Sequence, residues 1–498
     1  MRNHDSTIKK ISTFLGILIL AIFTSQCFAQ SNSATSKNVK SRQYLELVNG
    51  LYDWIQRNYV DEVDPEVLYR GALKGMLSEL NDPYTTYMDT SLNRSLNDTS
   101  HGQFGGVGLT ITKLLESSAT KPAYVEVISP VEDTPGYRAG IQAGDFLISI
   151  NGTDTSKINM EEVLDILRGH VGDPVDIVVR RGKNTEFSVT LVRELIEVPT
   201  VKFTTIGNLG YLKIIEFTPL TPEKVQQALD VFKKEQVKGI IIDLRNNGGG
   251  VLSSGVDVAD KFIDNGPIVS TKSRIAYENS MFTASPKRTV VRDIPMVVLI
   301  NRGTASAAEI LSGALKDNHL AYLVGQRTFG KGSVQKVMPL SEKDGIKCTV
   351  ARYYTPSDVN IDKIGIPPDR EILFPLLSEE GEKQYTELYK EDEISKYVAD
   401  NGGANMTEKQ ISEYAKVLKS KYTEIDEASL RKLIRNDVNR YNSSMLYDLD
   451  YDIQLNEAIK ILKTENFTKL VKNTKTLKEL QDLAQLEDKS KEDSKKAE

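Results

Sequence analysis

The first regular pattern along the chain is helical and lies in residues 44 to 97. Apolar side chains recur there at the three- and four-residue spacing that places them on one helix face; they are Leu45, Val48, Leu51, Tyr52 and Ile55. Asp64-Pro65-Glu66 then supplies a capping residue, a proline and an acid, which are typical of a helix start. The pattern therefore predicts an N-terminal helical segment, with a second helix running to Leu80.

Residues 98 to 197 show a different pattern, in which short strand-like runs are separated by turn residues. Five strands are predicted, at Val107–Thr112, Ala123–Ile128, Asp145–Ile150, Val175–Arg180 and Glu186–Arg193. One helix, Asn159–Leu167, interrupts them. The pattern predicts a small β-rich domain.

Strands and helices alternate from residue 198 to residue 370. The predicted strands are mostly apolar runs, as expected of buried strands, and they lie at Leu209–Ile215, Val237–Leu244, Pro295–Ile300 and Leu320–Val324. This alternation predicts an α/β fold with a mainly parallel sheet. Residues 371 to 486 return to helical spacing, and the charged run at 487 to 498 is predicted to be a disordered tail.

The first residues of the chain are typical of an export signal. Basic residues precede an apolar run from Ile11 to Phe23, and Cys27-Phe28-Ala29 offers a cleavage position after Ala29. Residues 1 to 29 are therefore predicted to be a signal peptide, followed by a polar linker at 30 to 43, which implies an exported, periplasmic protein. An uncleaved membrane anchor and lipid attachment at Cys27 remain alternatives, and either would hold the protein at the membrane.

Composition narrows the class of protein further. A chain of 498 residues exceeds what one hydrophobic core usually holds, so several domains are expected. The net charge of -6 argues against a general nucleic-acid binder. Once residues 1 to 29 are removed, Cys348 is the only cysteine, so no internal disulfide is possible. The histidines and cysteines lack ligand spacing, and no metal or cofactor is expected.

Small residues surround one serine in the stretch RGTASAAEI, residues 302 to 310. Ser306 follows the predicted strand Pro295–Ile300 and precedes an apolar helix face. A serine in a sharp strand-to-helix turn is exposed to a substrate carbonyl, and the N–H of Ala307 is free to donate to a developing oxyanion. The pattern predicts a nucleophile; the alternative is that Ser306 only caps the helix.

A serine nucleophile needs a base, and the few histidines are poorly placed to supply one. Lys331 lies between two glycines, just after the predicted strand Leu320–Val324, and is therefore expected at the same sheet edge as Ser306. A lysine acts as a base only when uncharged, which requires surroundings that lower its pKa from about 10.4. Gln335, four residues on, is a candidate for holding the amine in register. The alternative is a solvent-exposed or phosphate-loop lysine.

Two glycine-rich stretches offer backbone N–H donors. Asp243–Gly250 (DLRNNGGG) follows a predicted strand, and its glycines are candidates for the second donor of an oxyanion hole, or for a plain turn. Phe104–Leu109 (FGGVGL) opens the β-rich domain and predicts a backbone nest for a substrate's terminal carboxylate.

These motifs, in this order, resemble those of one family. DLRNNGGG, GTASAAEI and RTFGKGSVQ, with FGGVGL ahead of them, are similar to motifs of the carboxyl-terminal processing proteases, or tail-specific proteases, which are serine/lysine-dyad peptidases of the S41 type with an inserted PDZ domain. The resemblance runs from about Tyr44 to Pro368 and extends weakly into the C-terminal region through Asp452–Ala458. It implies a ClpP/crotonase-like α/β protease core at 198 to 370, an inserted PDZ domain at 98 to 197, and helical N- and C-terminal segments.

The resemblance also implies a role for each matching residue. It makes Ser306 the nucleophile, Lys331 the general base and Gln335 the residue that orients the lysine. It places the oxyanion donors on the backbone of Ala307 and of Gly248 or Gly249. The residues implied to bind the substrate C-terminus are Phe104, Gly105, Gly106, Val107, Gly108 and Leu109. Arg168 matches an arginine that links the PDZ domain to the core in some relatives.

One departure from the family pattern falls after Tyr354. The common pattern has a glycine and a basic residue after YYTPS, whereas this chain has Asp358 and Val359. The departure concerns the shape of the substrate channel and leaves the dyad unchanged.

The main expectation is an exported serine endopeptidase that engages exposed apolar C-termini of protein or peptide substrates. One alternative is an inactive PDZ scaffold, which the presence of Ser306 and Lys331 disfavours. A second is acyl-thioester chemistry, for which Glu309 would have to act as a base; we interpret Glu309 as structural. The helical ends are expected to mediate homo-oligomer formation.

Overall fold

A computed structural model describes residues 40–90, 102–113, 123–131, 134–142, 144–182, 185–197, 200–341, 344–373, 377–391, 393–440 and 446–486. The predicted signal peptide, most of the linker and the predicted tail lie outside these residues. The chain divides into two compact units, Met1–Tyr87 and Met88–Glu498.

The first unit contains two helices, as the helical spacing predicts. Helix α1 spans residues 40 to 58 and α2 spans Pro65–Ser78. Asp64 caps α2 by accepting a hydrogen bond from the N–H of Glu66 (2.9 Å), and Pro65 occupies the first turn, where no donor is needed. A short strand, β1, follows at Thr86–Met88. The apolar stripe of α1 is exposed; Leu45 is 59% and Leu51 is 59% accessible.

The β-rich domain forms an antiparallel sheet of order β3-β4-β5-β7-β8, with β6 paired to β5 and β3 at the edge. The strands are β2 Gln103–Gly106, β3 Leu109–Lys113, β4 Val125–Pro130, β5 Phe146–Ile150, β6 Thr153–Asp154, β7 Pro174–Arg181, β8 Thr185–Val192 and β9 Glu194–Glu197; the helices are α3 Pro135–Arg138 and α4 Met160–Leu167. Strands β2 and β9 pair as a separate ribbon where the chain enters and leaves the domain. The prediction of a strand at Val107–Thr112 is wrong at its first two residues. The strand begins at Leu109, because Gly108 adopts φ +72° and separates β2 from β3.

The core domain contains a six-stranded sheet of order β10-β11-β12-β15-β16-β19. Its strands are β10 Val201–Ile206, β11 Leu209–Ile214, β12 Gly239–Asp243, β15 Met296–Ile300, β16 Tyr322–Gly325 and β19 Arg370–Glu371. All neighbours from β11 to β19 are parallel, and only β10 is antiparallel. The structure thus confirms the predicted α/β fold with a mainly parallel sheet.

Helices cover both faces of this sheet. On one face, apolar residues of α5 (Thr221–Lys234), α6 (Leu252–Ala259) and α7 (Ala307–Asp317) pack against Ile240 and Ile242. On the other face, α12 (Ile453–Thr464) from the C-terminal region packs on Ile241 and the strand residues beside it. Because successive residues of a strand point to opposite faces, a strand covered on both sides is apolar throughout.

The remaining strands form a second, antiparallel arrangement in which β18 pairs with both β13 and β17, and β13 with β14. They are β13 Pro267–Lys272, β14 Ser280–Thr283, β17 Ser333–Pro339 and β18 Gly345–Tyr354. The C-terminal region adds helices α8 Glu379–Glu391, α9 Glu393–Asp400, α10 Glu408–Lys421, α11 Glu427–Arg440, α13 Phe467–Lys472 and α14, residues 477 to 486. Helices α9 to α11 share a core of their own. In the part of the chain described here, no helix combines the length and apolar character required to cross a bilayer.

Candidate active site

Three of the sequence motifs meet at one edge of the parallel sheet. Strand β12 ends at Asp243, β15 at Ile300 and β16 at Gly325. The strands are parallel and neighbours, with Asp243 opposite Leu299 and Ile300 opposite Gly325. The loops that follow them therefore emerge side by side, at the sheet edge where ligands of α/β proteins usually bind.

Ser306 occupies a strained turn at the start of α7. Its backbone has φ 55° and ψ -118°, a conformation that non-glycine residues rarely adopt and that the surrounding contacts must hold. A Cβ on Gly249 would lie 2.7 Å from the Ser306 Cβ, so only glycine fits opposite the serine. The small residues around Ser306 thus permit the close approach of two loops.

Glu309 joins the serine turn to the lysine loop. Its Oε2 accepts hydrogen bonds from the backbone N–H groups of Ser306 (2.9 Å) and Lys331 (2.9 Å). Both nitrogens thus contact a single oxygen. Its Oε1 accepts from the Thr328 hydroxyl (2.5 Å) and the Gly330 N–H (2.8 Å). Burial raises the pKa of this fully buried carboxyl, although these four donors oppose the rise.

The glycines beside Lys331 are required by the loop against which they pack. Gly330 has φ +87°, and a Cβ there would lie 2.8 Å from the Gly365 nitrogen. A Cβ on Gly332 would lie 2.6 Å from the Asp362 nitrogen. Lys331 itself is half-buried. The Gly-Lys-Gly sequence is therefore explained by close backbone packing, without a phosphate.

The serine turn is also fastened to the Asp243–Gly250 loop. The Ala305 N–H donates to the Asn247 carbonyl (2.9 Å), and the buried Thr304 hydroxyl donates to the Leu244 carbonyl (2.8 Å). Tyr353 of β18 donates to the carbonyl of Ser306 (3.2 Å). These bonds fix the relative positions of the two candidate oxyanion-hole segments.

The two glycine candidates for the oxyanion hole differ in their hydrogen bonds. The Gly249 N–H donates to Oδ1 of Asn247 (2.8 Å), whose amide in turn donates to the Ile214 carbonyl (2.8 Å). Among the residues that the structure describes, the N–H groups of Gly248 and Ala307 have no acceptor. Gly248 and Ala307 are therefore the donors still available to a substrate oxygen.

Gln335 lies in β17, at the strand start that follows Lys331. Its amide nitrogen donates to the hydroxyls of Ser333 (2.9 Å) and Thr349 (3.3 Å). Its suggested role in orienting the lysine stays a prediction.

The FGGVGL loop spans the ribbon and the start of the edge strand. Phe104, Gly105 and Gly106 belong to β2, and Leu109 begins β3. Val107 and Gly108 form the connection between them, where the Val107 carbonyl accepts from the Gly136 N–H (2.8 Å). The Arg168 guanidinium lies 4.6 Å from the centre of the Phe104 ring, a contact within the β-rich domain. The expected link of Arg168 to the core stays a prediction.

The chain keeps a left-handed turn at the position where it departs from the family pattern. Asp358 has φ +63°, a conformation in which glycine is favoured, and its N–H donates to the Thr355 carbonyl (2.8 Å). Its carboxylate pairs with Lys272, which also lies over the Tyr354 ring at 4.2 Å. The turn is thus made without glycine and carries a charge pair beside Tyr354.

Sequence reasoning missed the ion pairs behind the active-site edge. Arg245 binds Asp243 at the end of β12 and Asp452 at the start of α12. The available signal was an arginine two residues after a buried aspartate at the end of an apolar strand. Within the described residues, no group of three or more His, Cys, Asp or Glu side chains could hold a metal ion.

Comparison with known proteins assigns families to three segments. Residues 208–372 match the profile of Peptidase family S41, residues 126–181 that of the PDZ domain, and residues 9–91 that of the Activating protease CtpB N-terminal domain. The β-rich domain is therefore a PDZ domain, and the sheet with its helices is the peptidase domain.

Several similar proteins are named as C-terminal processing proteases. The chain is 36% identical over 365 residues to the carboxy-terminal-processing protease of Bartonella bacilliformis, covering 72% of this chain and 82% of that protein. It is 31% identical over 377 residues to the carboxy-terminal processing protease CtpA of Bacillus subtilis, covering 74% and 78%. A solved photosystem II D1 C-terminal processing protease is 32% identical, with a TM-score of 0.40, covering 66% of this chain and 92% of that one. By this sequence similarity the chain belongs to the carboxy-terminal processing proteases, serine peptidases of family S41 with a PDZ domain.

Proposed function

We propose that this chain is an exported serine endopeptidase that captures substrate C-termini on its PDZ domain and cleaves peptide bonds with a Ser306/Lys331 dyad. The observation that carries the proposal is the single carboxylate oxygen of Glu309, which accepts from the backbone N–H of both residues. Glu309 thereby holds the backbones of the two members of the dyad together.

The proposed reaction consists of an acylation and a deacylation, and each has two proton transfers. The uncharged Lys331 amine takes the proton of the Ser306 hydroxyl as Oγ bonds to the substrate carbonyl carbon, and the N–H groups of Ala307 and Gly248 donate to the oxyanion. Lys331 then gives that proton to the leaving amine as the peptide bond breaks, which leaves an acyl-enzyme. Water attacks the ester with Lys331 again as base, and the proton returns to Ser306 as the new C-terminus leaves.

The strand order of the PDZ domain supports capture of an extended C-terminus. Strand β3 is at the edge of its sheet, so its outer backbone groups are available to a substrate strand. Leu109 and Ile111 of β3, and Met160 and Ile166 at α4, are only partly buried where they pack on the domain core. We place the substrate between β3 and α4, with its carboxylate at Val107 to Leu109.

Export and self-association complete the proposal. The charged and apolar pattern of residues 1 to 29 supports an exported, periplasmic protein, with cleavage or retention at the membrane as the two forms. The exposed apolar stripe of α1 supports a homo-oligomer, because such a stripe is usually covered by another helix. N-terminal sequencing of the protein from envelope fractions tests export, and Gln30 is expected as the first residue. Sedimentation of Leu51→Asp tests self-association, and a lower mass than that of wild type is expected.

Proteolysis of an unfolded protein with a free apolar C-terminus tests the proposed chemistry. Wild type is expected to degrade it, whereas Ser306→Ala and Lys331→Met should each lose at least about a thousandfold in rate. Lys336→Met is the matched control, since Lys336 is an exposed lysine five residues on that pairs with Glu278. Equal degradation by Lys331→Met and wild type would refute the dyad. Binding of an apolar C-terminal peptide without any hydrolysis would favour the PDZ scaffold.

A further inference from the structure

A saturated charge cluster lies behind the loop that carries Gly248, and its centre is Arg245. The guanidinium donates from Nε and Nη2 to the two oxygens of Asp243 (2.9 and 2.7 Å). It donates from Nη1 and Nη2 to the two oxygens of Asp452 (2.8 and 2.6 Å), and from Nη1 to Oε1 of Gln454 (3.2 Å). All five guanidinium N–H groups are therefore used, with two carboxylates bound in bidentate geometry.

The partners of Arg245 come from opposite ends of the peptidase sequence. Asp243 ends β12, whereas Asp452 precedes α12, 207 residues after Arg245. Asp452 also caps α12 by accepting from the Leu455 N–H (2.9 Å), and fully buried Gln454 donates to the Ile372 carbonyl (2.8 Å). The start of α12 is thus fixed against the sheet and presents Asp452 from a rigid position.

The residues after Arg245 form the loop from which the Gly248 N–H projects. Asn246, at φ +59°, donates from its N–H to the Asn301 side chain (2.9 Å), and the next carbonyl, of Asn247, accepts from Ala305. A Cβ on Gly303 would lie 2.9 Å from the Asn246 Cα, so the serine turn packs directly on this loop. A shift of Arg245 would consequently move one oxyanion donor relative to Ser306.

We propose that Asp452 is a positioning residue for peptide hydrolysis: from the C-terminal helix it holds Arg245, and through Arg245 it sets the position of the Gly248 N–H. The proposal rests on the oxyanion hole of the proposed function. Arg245 carries one positive charge and is bound by two carboxylates. Asp452 therefore adds to the attraction that Asp243 exerts on the guanidinium. Asparagine at position 452 offers one uncharged acceptor oxygen, so one of the two guanidinium N–H groups keeps a weaker partner and the other faces an NH2 donor.

The expected effect is on the transition state, since an oxyanion donor bonds more strongly to the tetrahedral oxygen than to the substrate carbonyl. In Asp452→Asn, kcat for a fluorogenic peptide with a free apolar C-terminus should fall about 10- to 100-fold, with KM changed less than about threefold. The affinity for a peptide boronate, whose tetrahedral adduct places an oxygen at the oxyanion position, should fall by a similar factor. The affinity of the PDZ domain for a non-cleavable peptide should not change.

Glu465→Gln is the matched control. Glu465 lies at the other end of α12 and binds the core residue Arg370 (2.7 and 3.1 Å), so it also fastens this helix to the sheet by a carboxylate–arginine pair. Its kcat and boronate affinity should equal those of wild type. Asparagine keeps the capping function of Asp452, and Asp452→Ser, which also caps but is smaller, should reproduce the kinetic loss.

The measurements separate failure of this inference from failure of the proposed function. Equal kcat in Asp452→Asn and Glu465→Gln, or a rise in KM alone, would overturn the positioning role. If circular dichroism shows that Asp452→Asn does not fold, the kcat of Asp452→Ser relative to Glu465→Gln decides instead. If neither variant at position 452 folds, Asp452 is a purely structural residue and the inference is rejected. Retained hydrolysis by Ser306→Ala would instead remove the proposed function itself.

Discussion

At the scale of single residues, Glu309 shows how one buried carboxylate joins two loops. It is fully buried, which raises its pKa, and each of its oxygens accepts two hydrogen bonds. Four donors suit an ionised carboxylate, because a proton on either oxygen would compete with them. The acyl-thioester alternative needs Glu309 as a base, and this set of bonds occupies its acceptor positions.

Glu309→Gln should lower the rate of peptide hydrolysis by at least about a hundredfold and the free energy of unfolding by about 1 to 3 kcal/mol, since the new NH2 group faces N–H or O–H donors. Steady-state kinetics and urea unfolding measure these two quantities. Glu278→Gln, at a carboxylate whose partner Lys336 is exposed, is the control and should change both only slightly. Full activity in Glu309→Gln would contradict the clamping role.

Gly330→Ala tests the close packing of the lysine loop. The added Cβ would meet the Gly365 and Ile364 nitrogens at 2.8 and 2.9 Å, so we expect loss of most activity and of about 2 to 4 kcal/mol of stability. Gly144→Ala has a similar φ, +83° against +87°, but nothing lies within 4 Å of its Cβ. It should show only the conformational cost, about 1 kcal/mol. Thermal unfolding and kinetics of both variants make the comparison; similar losses would mean that backbone conformation alone explains the glycine.

The sequence was informative about residue types and less so about contacts. Ser306 and Lys331 stand out because their small neighbours are local signals. The sequence did not predict which of Gly248 and Gly249 has its N–H available to a substrate. That depends on the Asn247 side chain, which folds back and accepts from the Gly249 N–H.

At the scale of elements, helix α4 illustrates which features are local. Its N-terminus was predictable, because Asn159 and Glu162 form a reciprocal capping box within four residues. Its end at Leu167 was also predicted, but the contact that holds this end was not: Arg193, which lies beyond β8, donates to the carbonyls of Ile166 (2.6 Å) and Leu167 (3.1 Å). The ribbon of β2 and β9 is likewise built from residues about ninety positions apart, which short-range patterns do not register.

Arg193→Met should destabilise the PDZ domain by about 2 to 4 kcal/mol, because buried carbonyls at the end of α4 lose their donor. Since α4 borders the proposed peptide groove, affinity for an apolar C-terminal peptide should fall as well. Arg180→Met is the control: Arg180 pairs with Glu186 at a partly exposed site, and its loss should cost less than about 1 kcal/mol. Urea unfolding and peptide titration provide the measurements, and unchanged peptide affinity in Arg193→Met would argue against a groove beside α4.

At the scale of the whole molecule, the peptidase domain is completed by distant sequence. The boundary expected at residue 370 separates segments that pack together, because α12 covers one face of the sheet and Arg370 binds both Glu457 and Glu465. The sequence of an amphipathic helix predicts that its apolar face is buried, but it does not predict which surface that face packs against. The order of the domains was therefore easier to predict than the contacts between them.

Acid should weaken the contact between α12 and the sheet. Hydrogen bonds from Arg370 lower the pKa of Glu465. Burial is the largest single effect on Glu457 and raises its pKa, but the hydrogen bonds and charges of Arg370 and Lys460 together lower that pKa below its ordinary value. A carboxyl with a lowered folded-state pKa stabilises the fold above its unfolded value, 4.5, and loses that contribution as the pH falls through the folded value.

Glu465→Gln isolates this effect. Wild type should exceed the variant in free energy of unfolding at pH 7, by about 1 kcal/mol or less, and the difference should shrink as the pH falls below 4.5. Urea unfolding at pH 7 and pH 3 measures the difference. A gap of the same size at pH 3 and pH 7 would show that the Glu465 carboxylate does not contribute through its charge.

The position of α12 near the end of the chain also has a consequence for biosynthesis. A ribosome releases β12 and Arg245 long before Asp452, which is 207 residues further along. Until α12 has been synthesised, one face of the sheet lacks its cover and Arg245 lacks one of its two carboxylates. Full hydrolytic activity is therefore expected only after the C-terminal region has been synthesised and has folded onto the sheet.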